Sequence, residues 1–178
     1  METDLIRLLA DLVACSSTNP RRAPVSESYP GEAPLLHLLE AYLRPLGARI
    51  DYQEAMPGRF NLTAFWDGRD RSRTLLLSAH ADTVPQDGMT IPPFTPAIRE
   101  GRLYGRGACD PKGGMAAMLA AITRRIGRGA PLPCNLCFAA TCNEEFGADG
   151  ARTLMQRHAG RFTMAVVAEP TDLAIVRQ

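Results

Sequence analysis

Residues 74–85, TLLLSAHADTVP, decide how this chain is read. Thr74 to Ala79 form a short and nearly unbroken apolar run, the pattern of a central strand covered on both faces of a sheet. Such a strand delivers His80 to its carboxyl end. Where extended geometry continues, residues two apart project the same way, so the Asp82 carboxylate can approach the His80 imidazole. A metal-bound histidine usually has its second ring nitrogen fixed by a partner of this kind. Alone, His-x-Asp equally describes a surface histidine beside an acidic turn, and the surrounding chain has to decide.

Working outward, helical and strand-like segments alternate. Apolar residues recur at helical spacing over residues 2–14, and again over 33–46 around Leu35, Leu36, Leu38, Leu39, Tyr42 and Leu43. Between them SSTNPRRAPVSESYPG, residues 16–31, is dense in Pro, Ser and Asn and reads as an extended loop. Strands are predicted over 48–52, 61–66, 135–141 and 164–168. Helices are predicted over 113–126, rich in Ala, Met and Leu and closed by Gly127 and Gly129, and over 149–158. The alternation predicts an α/β fold, a three-layer sandwich in which helices flank both faces of a mostly parallel, mixed sheet. Ligands collect outside the carboxyl ends of the strands of such sheets.

Three further motifs fall at those ends: GRGACDPKGG at 105–114, TCNEEFGADG at 141–150 and AEPT at 168–171. Asp110 stands in a glycine-rich turn before a helix, where a carboxylate can bridge two metal ions or simply cap the helix. The following Pro111 permits a cis bond at a cost of about 0.5–1 kcal/mol. Glu144 and Glu145 leave an apolar strand. Neighbouring carboxylates so placed can divide the work, one ligating a metal and the other holding a water for deprotonation; a solvated acidic turn is the plainer alternative. Glu169 leaves MAVVAE, another apolar run expected to be buried.

Composition narrows the function classes. With 20 basic and 19 acidic residues among 178, the net charge is +1. No broad field attracts nucleic acid or anionic lipid, and neither is expected as a partner. The acidic start and the lack of an apolar run near the roughly 18 residues of a membrane span lead to the expectation of a soluble, cytoplasmic protein. Five cysteines without framework spacing fit a reducing compartment. Cys134 and Cys137 form a C-x-x-C within an apparent strand, with no second pair to complete a zinc ribbon, so they are expected as small apolar fillers. Cys109, beside Asp110, is also expected to pack rather than ligate.

Taken together and in this order, the motifs resemble the zinc hydrolase family that includes acetylornithine deacetylase, succinyl-diaminopimelate desuccinylase, aminoacylase and carboxypeptidase G. The likeness runs from Leu5 to Val176. It includes Ser17, Asn19 and Pro20 in the first loop, Asn61 before the early strand, and the stretch EGRLYGRGACDPKGGMAAML. The resemblance implies a zinc-exopeptidase-like fold and two zinc ions bridged by Asp110, with His80 and Glu169 on one ion and Glu145 on the other; Co2+ or Mn2+ are substitutes. It implies Glu144 as general base, Asp82 as the residue orienting His80, and a cis Asp110–Pro111 bond. The implied reaction is hydrolysis of small N-acylated amino acids or dipeptides.

Members of that family run to about twice this length. On the resemblance, residues 1–178 correspond to the amino-terminal part of the catalytic domain, without the lid or dimerisation domain and without a last histidine on the second zinc. His37 and His158, the other histidines, are expected in surface or packing roles. One zinc is then expected to be retained, held by His80, Asp110 and Glu169, with weak or no turnover. An uncovered strand edge should favour homo-oligomers or a complementing carboxyl-terminal chain. The alternative is a non-catalytic zinc-binding or partner-completed interaction protein.

Overall fold

The computed structural model describes residues 4–21, 23–27, 29–172 and 174. Asp4 caps the first helix, α1 (Leu5–Ala14), by accepting from the Ile6 and Arg7 amides at 3.1 Å each. That cap marks the helix start at Leu5; residues 2 and 3 of the predicted helix lie outside the described residues. The second, α2 (Ala33–Leu43), buries Leu35, Leu36, Leu39 and Leu43 and ends in a 3₁₀ turn over Arg44–Leu46. The strands β1 (Arg49–Met56), β2 (Arg59–Trp66) and β3 (Asp70–His80) follow. Next come the hairpin β4 (Ala97–Arg99) and β5 (Arg102–Tyr104), then α3 (Lys112–Gly127), β6 (Cys134–Thr141), α4 (Asp149–Arg157) and β7 (Met164–Val167).

The five-stranded sheet has the order β1-β2-β6-β3-β7. β2 runs antiparallel to both of its neighbours, β1 and β6, while β6, β3 and β7 run parallel, so the sheet is mixed as expected. Two packed clusters cover its faces. On one side Leu8 and Leu12 of α1, the α2 leucines, and Met115, Leu119 and Ile122 of α3 pack against Leu62, Ala64 and Phe138. On the other, Leu154 of α4 packs on Leu76, Cys137 and Ala139. Period-two alternation splits β3 between the clusters, with Leu76 toward α4 and Leu75 and Leu77 toward the larger core.

β3 lies inside the sheet between β6 and β7, as expected of a central strand, and its neighbour β6 is buried along nearly its whole length. Two features differ from expectation. β7 is exposed at every residue, with Met164 at 57 % and Val167 at 60 % of full exposure, because among the described residues nothing pairs with its outer edge or packs on it. The uncovered strand edge expected above is β7. The β4–β5 hairpin was not expected at all; Arg99 pairs with Arg102 around Glu100 and Gly101, both at positive φ, which is a two-residue turn that suits strand twist.

Cys137 is buried and Cys134 half-buried in β6, as expected of fillers, whereas Cys109 is exposed rather than packed because it lies in the open turn before α3. His37 is exposed on α2. His158 lies beside the Gln53 side chain at 2.7 Å and against Phe162. Among the described residues, no helix is long and apolar enough to cross a membrane.

Candidate functional site

Parallel pairing of β3 with β6 and β7 makes their carboxyl ends finish together, with His80 opposite Thr141 and Ser78 opposite Val167. The loops leaving those ends, and the turn before α3, therefore share one space. Gly114 sets how close the turn comes: a Cβ at this position would lie 2.7 Å from the Ala168 Cβ, so only glycine lets the first turn of α3 rest on the residue preceding Glu169. The Asp110–Pro111 bond is cis, as the resemblance implied.

His80, Asp110 and Glu169 converge. Each offers one ligand atom, and these atoms all lie within 4.8 Å of one another. His80 is buried, while Asp110 and Glu169 are open to solvent. The His80 Nδ1 stands 2.9 Å from the backbone carbonyl of Asp82 and 3.8 Å from the Asp82 carboxylate. The orienting contact thus comes from the main chain of Asp82, and the side chain is engaged elsewhere. A carbonyl only accepts, so Nδ1 carries a proton and Nε2 is left to face the Asp110 carboxylate at 2.9 Å. Two acceptors at that distance need a proton or a cation between them.

Electrostatics point the same way. Burial alone would depress the His80 pKa, yet the carboxylates of Asp82, Asp110 and Glu144 outweigh it and raise the value above that of an ordinary histidine. Burial pushes the Glu145 and Glu169 carboxyls up, with Asp110 adding to both shifts and His80 opposing them. A crowd of acids around one imidazole is a site of surplus negative charge. One imidazole nitrogen and two carboxylates form a donor set suited to a borderline divalent ion of the zinc type, with positions left for water.

The other two glutamates lie beside this cluster. A Glu144 carboxylate oxygen is 3.9 Å from His80 Nε2, and Glu145 accepts from the Val84 amide at 3.1 Å, outside the three-ligand group. Their backbone is held by Asp82, whose buried carboxylate accepts from the amides of Glu144 at 3.0 Å and Glu145 at 3.1 Å, and from Asn19 Nδ2 at 2.6 Å.

The model of peptidase family M20/M25/M40 matches residues 76–177. The chain belongs to this family. Succinyl-diaminopimelate desuccinylase of Paracidovorax citrulli is 33 % identical over 157 residues, covering 81 % of this chain and 40 % of that protein. The same enzyme of Polynucleobacter necessarius is 28 % identical over 180 residues, covering 94 % and 44 %. This M20 chain thus spans less than half the length of these curated relatives. Human carnosine dipeptidase 1 superposes with a TM-score of 0.78 at 23 % identity, over 93 % of this chain and 38 % of that one. The Bacillus subtilis YXEP protein, described as a dinuclear metal-binding peptidase of the family, gives 0.61 at 17 % identity over 93 % and 42 %. These likenesses establish the shared fold.

Four buried polar residues near the candidate site escaped the sequence reading. Glu32 and Arg59 form a buried ion pair behind the Glu144–Glu145 turn, and Asn143 lies between that pair and Asn19. Lys112, fully buried at the start of α3, donates to the Cys15 carbonyl at 2.8 Å, and burial pulls its pKa down to about 8. A polar side chain at the edge of a helix or strand carries no mark of burial in one sequence, so no local signal could have singled them out.

Proposed function

We propose that this chain is a metal-binding, base-bearing part of an amide hydrolase acting on small N-acylated amino acids or dipeptides, and corresponds to the amino-terminal part of its relatives' catalytic domain. The reading is carried by the convergence of His80, Asp110 and Glu169 with Glu144 alongside. These three residues would hold one zinc ion; Asp110 and Glu145 would contribute to a second. Bound there, the metal supplies the lowered pKa of a water and the polarisation of an amide carbonyl. Asp82, through its carbonyl, holds the proton on His80 Nδ1 and keeps Nε2 free to ligate. Glu144, partly exposed and, among the described residues, without a hydrogen-bonded cation of its own, accepts a proton at its carboxylate and returns it to the leaving amine nitrogen.

With three ligands for one ion and two carboxylates for the other, one metal should bind firmly and turnover should be low. The exposed β7 edge supports a homo-oligomer or a complementing carboxyl-terminal chain as partner, and five free thiols support a cytoplasmic location. Zinc titration by calorimetry, combined with amine release from N-succinyl and N-acetyl amino acids and dipeptides, tests the reading. One tight zinc, lost in His80→Ala, and slow hydrolysis abolished by Glu144→Gln are expected. Absence of metal binding refutes it; two tight ions with brisk turnover refute the weak-activity part; zinc binding with no hydrolysis, alone or with a carboxyl-terminal half, favours a non-catalytic zinc-binding protein.

A further inference from the structure

The turn bearing Glu144 and Glu145 is suspended from two buried carboxylates. Three consecutive amides donate to them: Asn143 to Glu32 at 3.0 Å, Glu144 to one oxygen of Asp82 and Glu145 to the other. Glu32 is itself gripped by Arg59, whose Nε donates to one carboxylate oxygen at 3.0 Å while a terminal nitrogen reaches the other. The second terminal nitrogen of Arg59 donates to the Asn143 side-chain oxygen at 3.1 Å, which also accepts from Asn19 at 3.0 Å. Asn143 adopts φ 55°, a left-handed conformation that asparagine tolerates. That residue reverses the chain as it leaves β6 and turns the two glutamates toward His80. Its amide, carbonyl, side-chain oxygen and side-chain nitrogen are all engaged, the last two with Arg59, Asn19 and Asp149.

A buried ion pair is an inefficient way to stabilise a core, since desolvating both charges offsets much of their attraction. Glu32 at 2 % and Arg59 at 6 % exposure incur that cost in full. What an apolar pair of similar volume could not supply is a charged acceptor for the Asn143 amide and a planar, forked donor for its side chain. We infer that the Glu32–Arg59 pair, acting through Asn143, is a positioning unit that sets where the Glu144 and Glu145 carboxylates stand relative to His80. This rests on the reading of Glu144 as the base only for its catalytic consequence; the positioning itself is a property of the fold.

The test uses Glu32→Gln, Arg59→Lys and Arg59→Met in the full chain. Amide hydrogen exchange in the metal-free protein reads positioning directly. Exchange at Asn143, Glu144 and Glu145 should accelerate on the order of 10-fold or more, as expected for losing a buried hydrogen bond to a charged group, with Arg59→Lys intermediate. Amides within β6 should stay within about two-fold. In the zinc-loaded protein, kcat should fall about 10- to 100-fold with KM little changed. Unchanged exchange at 143–145 overturns the inference, and so does equal acceleration throughout β6, which would make the pair a general stabiliser. If Arg59→Met does not fold, Glu32→Gln and Arg59→Lys decide. Should exchange respond as expected while the parent chain hydrolyses nothing, the proposed activity fails and the positioning role stands.

Discussion

Replacing Asp82 by Asn is the sharpest probe of how the site is held together. Asp82 is fully buried and its two oxygens receive three donors: the Glu144 amide, the Glu145 amide and Asn19 Nδ2. Asparagine keeps the shape but turns one oxygen into a donor. In the less damaging orientation the new NH2 faces the Glu144 amide, so one charge-assisted bond is lost, a donor faces a donor, and the two remaining bonds become neutral ones. A hydrogen bond to a charged group contributes about 1.5–3 kcal/mol and a neutral one about half that, so the loss should be about 3–6 kcal/mol. Against the roughly 5–15 kcal/mol that holds a domain folded, this is a large fraction. Urea unfolding of the metal-free protein, followed by circular dichroism, should show a lower midpoint at an unchanged slope. A change below about 1 kcal/mol would refute the claim that these three bonds are made to an ionised, buried carboxylate.

Two more outcomes are expected. In the metal-free chain His80 has a raised pKa, so its stabilising contribution is fully present below the unfolded value of about 6.5 and is lost as pH rises through the higher folded value; thermal melting should therefore weaken above pH 6.5, and excess zinc, which competes with that proton, should reverse the trend. A melting profile flat over this range without metal would count against the His80 environment described. Gly114→Ala inserts a Cβ at 2.7 Å from that of Ala168, which should move the start of α3 off the Glu169 segment. Zinc affinity by calorimetry should fall about 10- to 100-fold, the range typical of disturbed supporting residues, even where better helix propensity masks the loss of stability; unaltered affinity would mean the close approach does not set the ligand geometry.

Most elements of the fold were legible because their patterns are local. The apolar run at Thr74–Ala79, the leucines of α2 and the Ala- and Met-rich α3 each announce their geometry within one or two turns or strand lengths. The β4–β5 hairpin was missed because its strands have three residues each and their pairing turns on two positive φ values that Glu100 does not advertise. β7 was misjudged for a different reason: Met164 to Val167 are apolar, but burial depends on what lies alongside, and β7 is the last strand of the sheet. The candidate ligands were found by type and by position at strand ends, whereas Glu32, Arg59, Asn143 and Lys112 were not, since their roles are defined by partners 27 to 111 residues away.

By itself the sequence determined the α/β alternation, the cis-compatible Asp110–Pro111 pair and the residues able to bind a metal or move a proton, because secondary-structure period and side-chain chemistry are written in adjacent residues. Only the tertiary structure decided that His80, Asp110 and Glu169 meet within 4.8 Å, that the main chain of Asp82 orients His80, and that its carboxylate holds the glutamate turn. Those facts depend on strand order, register and close packing at Gly114. They are relations between distant segments, and folding brings such segments together only because their separate faces are buried at once.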